Sequence, residues 1–527
     1  MKAYHRLIFI SIMCLIFFKG HSQTGNTVGV TELTIEVSDG YTFFSPFSGT
    51  KAYLIDNCGK LINSWDRGTR PGLSAYLLEN GLMLRTYKTP VEGPFTSASN
   101  AGGLELVDWN NNTLWKYEID TPETLSHHDA VMLPTGNILV LTWELVYRDE
   151  LIELGRDPDE IAVENFMWSE RIIELEPLGP DSAEIVWEWR IKDHYIQDFD
   201  STKTGYGVIK DHPELFNINL PDLNSSNSNA SRDWNHFNAI DYNPKLDQVL
   251  ISVRNSDEIW ILDHSTTTEE AASHRGGRYN KGGDILYRWG NPFAYGTLEY
   301  DDQQFFGQHG AHWVTTEGNY TDQILIFNNG NRRPPAEYSS VEILSPPEDS
   351  AGFYSFTPGN GYGPVTAEIL YGNQTDQAFY SPYLSNAQIL YNGNILINEG
   401  SSGFFFEINN EKDIVWSYEV PLWGDFPVSQ GDNVIQNSVF RVYKYPADYP
   451  AFQGKDLTPG ETIERNSPPC SLTVSNSEIK NTQISARYIS EIHQLVFSNA
   501  PDKITEISLH HISGKKIARF ELSKTNS

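Results

Sequence analysis

Histidine, arginine and aspartate recur in a few short polar segments, and these side chains are the ones in the chain best suited to chemistry. Three segments carry histidine: His127-His-Asp129, Asp233-Trp-Asn-His-Phe-Asn238 and Gln308-His-Gly-Ala-His-Trp313. Two arginines follow the later segments, at Arg254 and Arg332. Imidazole can act as an acid, a base or a nucleophile, and guanidinium holds anionic groups. The residue types therefore indicate either a metal site built from imidazoles or the transfer of an anionic group.

The arginines favour the anion, because a guanidinium repels a metal cation. A single histidine in a strand is more often a packed structural residue, so the prediction depends on several of them meeting. The candidate catalytic residues are His128, His236, His309 and His312. The candidate substrate-binding residues are Arg254, Arg332, Asn238 and Asn329. We predict no metal and no organic cofactor.

A repeating unit is the element that could bring these distant segments together. A short apolar strand that ends in Trp or Tyr occurs six times, at residues 61–65, 113–117, 185–189, 285–289, 368–371 and 414–418. Each of the first five copies is followed by a hairpin pattern, at residues 77–84, 132–139, 240–250, 314–325 and 389–396. Asn-Gly and Gly-Asn pairs between apolar runs are typical of tight hairpin turns. The sixth copy is followed by residues 438–443, without such a turn.

Six copies of strand and hairpin, with no helical periodicity, predict an all-β fold: a six-bladed β-propeller. A two-layer sandwich is the alternative. In a propeller the inner strands line one central channel, so histidines at the same place in successive repeats should converge there. Residues 484–520 tend to alternate apolar and polar side chains, which predicts a small β-sandwich-like appendage.

The predicted domains are a signal peptide at residues 1–23, the propeller at 24–460 and a C-terminal domain at 470–527. Residues 24 to about 60 are expected to cap the first repeat. No later stretch is long and apolar enough to span a membrane. The net charge of −31 makes nucleic acid an unsuitable partner. Cys58 and Cys470 are expected to remain separate thiols.

Over roughly residues 50 to 455 the sequence resembles the bacterial arylsulfate sulfotransferases. The similarity rests on the three histidine segments and on Ile326-Phe-Asn-Asn-Gly-Asn-Arg332. The resemblance implies a six-bladed propeller that moves a sulfuryl group from an aryl sulfate to a phenol through a sulfated histidine. It implies that His236 and His309 are channel histidines, with His312 as the competing assignment. Arg332 would match the arginine that holds the sulfate, and Arg254 follows His236 on the adjoining strand.

The sequence departs from the family at the nucleophile. The family's nucleophilic histidine lies on a late blade, and the matching segment of this chain, residues 399–406, contains none. No histidine occurs between His312 and His493. Three interpretations stay open: another channel histidine is the nucleophile, the chemistry differs, or the propeller binds sulfated or aromatic ligands without turnover. Beside a sulfotransferase-like enzyme and a binding propeller, a metal-dependent hydrolase or lyase is a third functional class.

The tail resembles the C-terminal sorting domain of type IX secretion in Bacteroidetes, most clearly at residues 512–517. The match is partial, because the usual end of that module is not found before Ser527. The resemblance implies that the type IX machinery is a partner during export. The expected location is the cell surface or the medium, with passage through the periplasm.

Overall fold

The computed structural model describes residues 25–221, 232–299, 302–349, 351–375 and 379–470, and the backbone of four later strands. Their strands form six small antiparallel sheets, and the innermost strands of these sheets contact one another in cyclic order. The fold is a six-bladed β-propeller, as predicted. The predicted signal peptide and most of the predicted C-terminal domain lie outside the described residues.

The strands of each blade follow one another from the centre of the ring outward. Blade 1 contains Val439–Tyr445, Tyr41–Pro46, Lys51–Ile55 and Leu61–Asp66; blade 2 contains Pro71–Leu77, Met83–Lys88, Gly102–Val107 and Thr113–Glu118; blade 3 contains Thr124–Met132, Ile138–Tyr147, Phe166–Leu178 and Ser182–Arg190. Blade 4 contains Phe237–Asn243, Gln248–Val253, Glu258–Asp263 and Tyr287–Trp289; blade 5 contains His309–Trp313, Ile324–Asn328, Ser340–Leu344 and Glu368–Tyr371; blade 6 contains Asn386–Ile389, Ile395–Glu399, Phe404–Ile408, Ile414–Glu419 and the edge strand Gly29–Leu33.

Helices in the described residues are short and lie in insertions between strands. The α-helices are Arg148–Glu153 in blade 3 and Thr268–Ala271 in blade 4, and short 3-10 turns include Ile191–His194 and Arg254–Ser256. None of the described helices is long and apolar enough to cross a membrane.

The repeated aromatic strand is the fourth strand of each blade, and in every blade but blade 5 its tryptophan bonds to the next blade. In five blades a Trp indole Nε1 donates to a backbone carbonyl of the following blade over 2.7–3.0 Å. The donors are Trp65, Trp115, Trp189, Trp289 and Trp416, and blade 6 reaches round to Asn57 of blade 1. All five side chains are buried. A buried indole contributes a large apolar area and needs a partner for its N–H, so this one residue type meets both needs of the blade interface.

The ring closes within blade 1, where the two ends of the propeller chain meet. Tyr41–Pro46 pairs with Val439–Tyr445, so the N-terminal and C-terminal parts share one sheet. The expectation that residues 24 to about 60 cap the first repeat is therefore wrong, because they supply two strands of blade 1 and the edge strand of blade 6. This closure also explains why no hairpin follows the sixth aromatic strand: the partner of residues 438–443 lies at the other end of the chain.

Cys58 and Cys470 form a disulfide, with their Cα atoms 5.6 Å apart. The expectation of two separate thiols is wrong. Cys58 is buried in the turn that follows Lys51–Ile55, where residues of blades 1 and 6 pack together. The 412 residues that separate the two cysteines in sequence gave no indication of this proximity.

The described part of the tail is all β. Ser485–Ile489 pairs antiparallel with Gln494–Ser498, and Glu506–His510 pairs antiparallel with Lys516–Glu521. Two hairpins thus stand where the sequence predicted a small β appendage.

We expect Cys58→Ser and Cys470→Ser each to lower the free energy of unfolding by about 2–5 kcal/mol, because each removes a bond that closes a long loop. The double variant should lose no more than either single variant, since all three lack the same bond. Denaturant unfolding without reductant measures these values. Additive losses, or a wild-type protein that reductant leaves unchanged, would contradict the disulfide.

Candidate active site in the central channel

The histidine segments lie at one end of the ring because of the way an antiparallel blade is built. The chain enters the first strand of a blade and leaves its second strand at the same end. His236 and His309 stand at the start of the inner strands of blades 4 and 5, and Arg254 and Arg332 follow the second strands of the same blades. His128 belongs to the inner strand of blade 3.

β-Bulges and unusual backbone angles mark these segments. The inner strands of blades 3, 4 and 5 each shift register at the histidine segment. His128, His236 and Arg332 have φ values of 49°, 56° and 60°, in the left-handed region that side chains other than glycine rarely adopt. Bulges re-aim side chains, and strained backbone concentrates at functional sites. The same departure from regular β structure in three neighbouring blades therefore marks this end of the channel.

His236 is paired with a buried carboxylate. Its Nδ1 lies 2.5 Å from Oδ2 of Asp233, which is almost fully buried. The ring itself is partly exposed, and its Nε2 has no hydrogen-bond partner among the described residues. A carboxylate on Nδ1 fixes the orientation of the imidazole and leaves Nε2 as the ring atom that can take part in a proton transfer.

His309 is paired with neutral acceptors instead. Its Nδ1 lies 2.8 Å from Oδ1 of Asn329 and 3.0 Å from the carbonyl oxygen of Gly307. The amide orientation of Asn329 is fixed because its Nδ2 donates to the carbonyls of Ser381 and Leu384. Both acceptors require a proton on Nδ1, which leaves the lone pair on Nε2. Burial first, and then the charge of Arg254, hold the pKa of His309 well below its ordinary value.

His128 belongs to a buried chain of polar side chains behind His236. Its ring centroid is 4.6 Å from that of His236, in an edge-to-face arrangement. Its Nδ1 is 2.7 Å from Nδ1 of His127, whose Nε2 is 3.0 Å from Glu170. The ring of His127 also stacks on Trp143. Burial lowers the pKa of His127 to about 3, lowers that of His128 well below its ordinary value, and raises that of Glu170. His128, His127 and Glu170 thus pack behind His236 and bond one to the next, but they bring little charge to the site.

The two predicted arginines act on one buried carboxyl group, Asp257. Burial raises the pKa of Asp257 to about 7, and Arg254 and Arg332 both oppose that rise. Arg254 is half-buried, and its Nη1 donates to Oδ1 of Asn255 over 3.0 Å. Arg332 is exposed on the loop between the second and third strands of blade 5, and its backbone N–H donates to Glu337.

A second group of charges lies near the axis of the ring, around Arg441 of blade 1. Its Nη2 atom is 2.8 Å from Oδ2 of Asp129 in blade 3 and 3.2 Å from the carbonyl oxygen of Asn238 in blade 4. Nη1 lies 2.8 Å from the hydroxyl of Tyr76 in blade 2, which donates to Asp129 over 2.6 Å. His312 belongs to this region, since burial and the charge of Arg441 lower its pKa to about 4.

The predicted asparagines are engaged by protein atoms. Both Asn238 and Asn329 are fully buried, and Asn238 Nδ2 donates to the carbonyl of Gln308 over 2.7 Å. In blade 6, where the resemblance would put a nucleophilic histidine, the hydroxyl of Ser381 is 2.9 Å from those of Ser401 and Ser385.

The structure therefore brings His128, His236, His309 and Arg254 within electrostatic reach of one another, and His312 within reach of the charge of Arg441. Sequence reasoning assigned no role to four ionisable residues around these rings: Asp233 and Glu170, which bond to imidazoles, and Asp129 and Arg441, which pair with each other. Asp233 and Asp129 were visible, because each is in a histidine segment. Glu170 and Arg441 lie on strands with no local motif, so only the fold reveals them.

The sequence of this chain matches one known protein family. Residues 107–422, from blade 2 through blade 6, match the family described as Arylsulfotransferase (ASST). The chain belongs to the arylsulfotransferase family. The matched span contains all four predicted catalytic histidines and both arginines, whereas Arg441 lies beyond it.

Other comparisons add little to this membership of the arylsulfotransferase family. No curated protein matches the sequence. Similar solved structures include a protein of unknown function from Bacteroides caccae, with 12% identity over 72% of this chain and 94% of that chain and a TM-score of 0.39. A putative 6-phosphogluconolactonase from Bacteroides uniformis has 8% identity over 78% and 100%, with a TM-score of 0.35. Virginiamycin B lyase from Staphylococcus aureus has 11% identity over 75% and 90%, with a TM-score of 0.31. These likenesses are too remote to support an argument.

We expect Asp129→Asn to lower the free energy of unfolding by about 3 kcal/mol, because it leaves the charge of Arg441 buried without its counter-ion. Denaturant unfolding followed by tryptophan fluorescence measures the change. The matched control is Asp322→Asn, which removes an ion pair to Lys245 that is more than half exposed on both sides, and should have no measurable effect. Equal losses in both variants would show that Asp129 has no special role.

Proposed function

We propose that this chain transfers a sulfuryl group from an aryl sulfate to a phenol, with His309 as nucleophile and His236 as general acid and base. Membership of the arylsulfotransferase family supports the reaction class. The observation that carries the assignment of roles is the contrast between the two Nδ1 partners, an amide for His309 and a carboxylate for His236.

The nucleophile must present a neutral nitrogen lone pair. The hydrogen bonds of His309 keep the proton on Nδ1, and burial disfavours protonation of Nε2. In the first step the Nε2 lone pair forms a bond to sulfur while the bond between sulfur and the aryl oxygen breaks. The electron pair of that bond leaves with the phenolate.

The departing phenolate needs a proton, which His236 supplies from Nε2–H while Asp233 stabilises the ring. In the second step Nε2 of His236 removes the proton of the acceptor phenol, whose oxygen attacks sulfur. The bond between sulfur and His309 then breaks, and its electron pair returns to Nε2. Both imidazoles end in the protonation states in which they began. We propose that His128 positions His236 by edge-to-face packing.

An anion must enter a protein with a net charge of −31, so local cations are needed. We propose that Arg254 and Arg332 hold the sulfuryl oxygens. Sulfuryl transfer spreads charge over three oxygens in the transition state, as phosphoryl transfer does, and fixed cations stabilise such charge. The opposition of both arginines to the raised pKa of Asp257 supports their nearness to one point.

The serine cluster of blade 6 favours a second candidate function, a propeller that binds sulfated or aromatic ligands without turnover. Ser381 bonds to both Ser385 and Ser401, and these side chains offer no nucleophilic nitrogen where the resemblance would place one. In that case an aryl sulfate would raise the melting temperature without being cleaved.

We further propose that the chain works outside the cytoplasm, at the cell surface or in the medium, after export by the type IX machinery. The disulfide between Cys58 and Cys470 supports an oxidising compartment. The basic and apolar start of the sequence and the tail resemblance support export.

We expect the protein to release nitrophenol from 4-nitrophenyl sulfate when phenol is present, and to gain one SO₃ group on the peptide that contains His309 when phenol is absent. His309→Ala should abolish both signals. The matched control is His212→Ala, which changes a half-exposed histidine paired with Glu214 and should keep full activity. Absorbance and peptide mass spectrometry give the two readouts, and a sulfated peptide elsewhere in the chain would overturn the assignment of the nucleophile.

The acid role of His236 has its own signature. His236→Ala should slow single-turnover release of phenol from unsubstituted phenyl sulfate by about 10²–10⁴-fold, because that leaving group needs a proton. It should slow single-turnover release of 2,4-dinitrophenol from its sulfate much less, since this leaving group departs as a stable anion and the base role of His236 belongs to the second step. An equal loss with both donors would contradict the role.

The pH profile tests the hydrogen bond of Asn329. Because the pKa of His309 is held low, the neutral nucleophile persists as pH falls through the ordinary histidine value of about 6.5. Asn329→Asp should favour the protonated ring, raise that pKa and move the acid limb of single-turnover nitrophenol release to higher pH. Asn331→Asp, in the same loop but not bonded to imidazole, should shift the limb less. Identical profiles for wild type and Asn329→Asp would refute the assignment.

A further inference from the structure

Three side chains with metal-ligating atoms converge outside the channel, on the outer side of blades 3 and 4. Nδ1 of His194 and Nδ1 of His274 lie 2.8 Å and 2.7 Å from the same atom, Oδ1 of Asp284. One ligand atom from each of the three residues falls within 4.8 Å of the others. His194 ends the short turn after blade 3, and the other two residues belong to the insertion between the third and fourth strands of blade 4.

The ring of His194 is oriented by a hydrogen bond to a backbone carbonyl, as the rings of metal-binding histidines commonly are. Its Nε2 lies 2.8 Å from the carbonyl oxygen of Ala271, which can only accept a hydrogen bond. A neutral ring that donates Nε2–H to this carbonyl would present its Nδ1 lone pair to an ion between Asp284 and His274. Metal-ligating histidines commonly donate their second nitrogen to a carbonyl in this way. The ring also lies parallel to that of Trp189, with an interplanar angle of 2°.

The backbone next to the ring is shaped to let it approach. A Cβ atom at Gly283 would lie 2.6 Å from Nε2 of His194, so any other residue there would displace the imidazole. The carbonyl of Gly283 accepts the indole N–H of Trp189 over 2.7 Å. Trp189, His194 and the blade 4 insertion are thus packed as one unit.

We propose that His194, His274 and Asp284 bind one divalent transition-metal ion, with Zn²⁺ as the cation that this donor set fits. Two imidazole nitrogens and one carboxylate oxygen are typical zinc ligands, and water completes a four-coordinate shell. His274 is 58% exposed on its side chain, which gives the ion and its water access from solvent, while His194 and Asp284 are buried. The ion replaces the hydrogen bonds that now bring both Nδ1 atoms to one oxygen.

The place of this site in the chain gives it a structural role. His194 leads directly into Tyr195–Ile196, which pairs in parallel with Phe216–Asn217 in the long insertion before blade 4. That insertion ends at Asp233 and His236. A metal at His194 would therefore tie the start of the segment that carries the His236 pair to the body of blade 4.

The test uses the full chain without an affinity tag, stripped with a chelator and then titrated with Zn²⁺ or Co²⁺. We expect one zinc per chain by elemental analysis after buffer exchange, and visible Co²⁺ absorption bands of a nitrogen-ligated site. His274→Ala removes an exposed ligand without disturbing the core, and should weaken zinc binding at least about 100-fold. Asp284→Asn should do the same.

The matched control is His264→Gln, at a partly buried histidine between blades 3 and 4 whose two nitrogens each face a different carboxylate, Glu174 and Asp247. This variant should keep its zinc and its Co²⁺ spectrum. Zinc should raise the melting temperature of wild type and His264→Gln but not of His274→Ala. Failure of the wild-type chain to bind zinc stoichiometrically, or equal binding by wild type and His274→Ala, would overturn the proposal. Neither outcome depends on sulfuryl transfer.

Discussion

The guanidinium of Arg441 lies near the axis of the propeller and contacts atoms from three other blades, and the candidate site depends on this arrangement. A buried guanidinium is tolerated only when its charge and its hydrogen-bond donors are satisfied. Asp129 supplies the charge, and Tyr76 and the carbonyl of Asn238 supply further acceptors. Asp129 directly follows His128, and Asn238 is two residues beyond His236. The requirement to pair one buried cation therefore fixes the backbone on which two channel imidazoles stand.

The channel separates charged from uncharged imidazole environments over a short distance. His127, His128 and His309 lose their affinity for protons mainly because they are buried. The ring of His236 is partly exposed instead, and its Nδ1 bonds to the carboxylate of Asp233, three residues earlier in the same segment. Neighbouring rings with different hydrogen-bond partners are what acid–base and nucleophilic roles require of a single residue type. The fold gives the histidines different environments by changing the hydrogen-bond partner of Nδ1, not by using different residue types.

Much of the blade pattern could be predicted from the sequence, because it depends on residues that are close together in the chain. The aromatic strand and the Asn-Gly turn recur within a few residues of each other, and the structure shows why: each tryptophan must reach the next blade. The closure in blade 1 could not be predicted in this way, since Tyr41–Pro46 and its partner strand come from opposite ends of the chain. The same applies to Cys58 and Cys470, which have no local feature in common.

The residues of the candidate site also fall into those found from local motifs and those found only from the fold. The histidines, Arg254 and Arg332 were found because they occur in short polar segments near predicted hairpins. Glu170 was not, because it lies in the middle of a long strand of blade 3 and is recognised only by its contact with His127. The late-blade segment at residues 399–406 shows the limit of a motif: Ser401 was visible in the sequence, but only the structure shows that it bonds to Ser381.

The disulfide gives the seam of blade 1 a property that hydrogen bonds alone do not. Cys58 lies near the beginning of the propeller chain and Cys470 just after its end, so the covalent link makes the intervening blades a closed circle. If the strand Val439–Tyr445 separates from Tyr41–Pro46, the link limits how far the two can move apart, so less conformational entropy is lost when they pair again. Trimming of the chain beyond residue 470 would leave the circle whole.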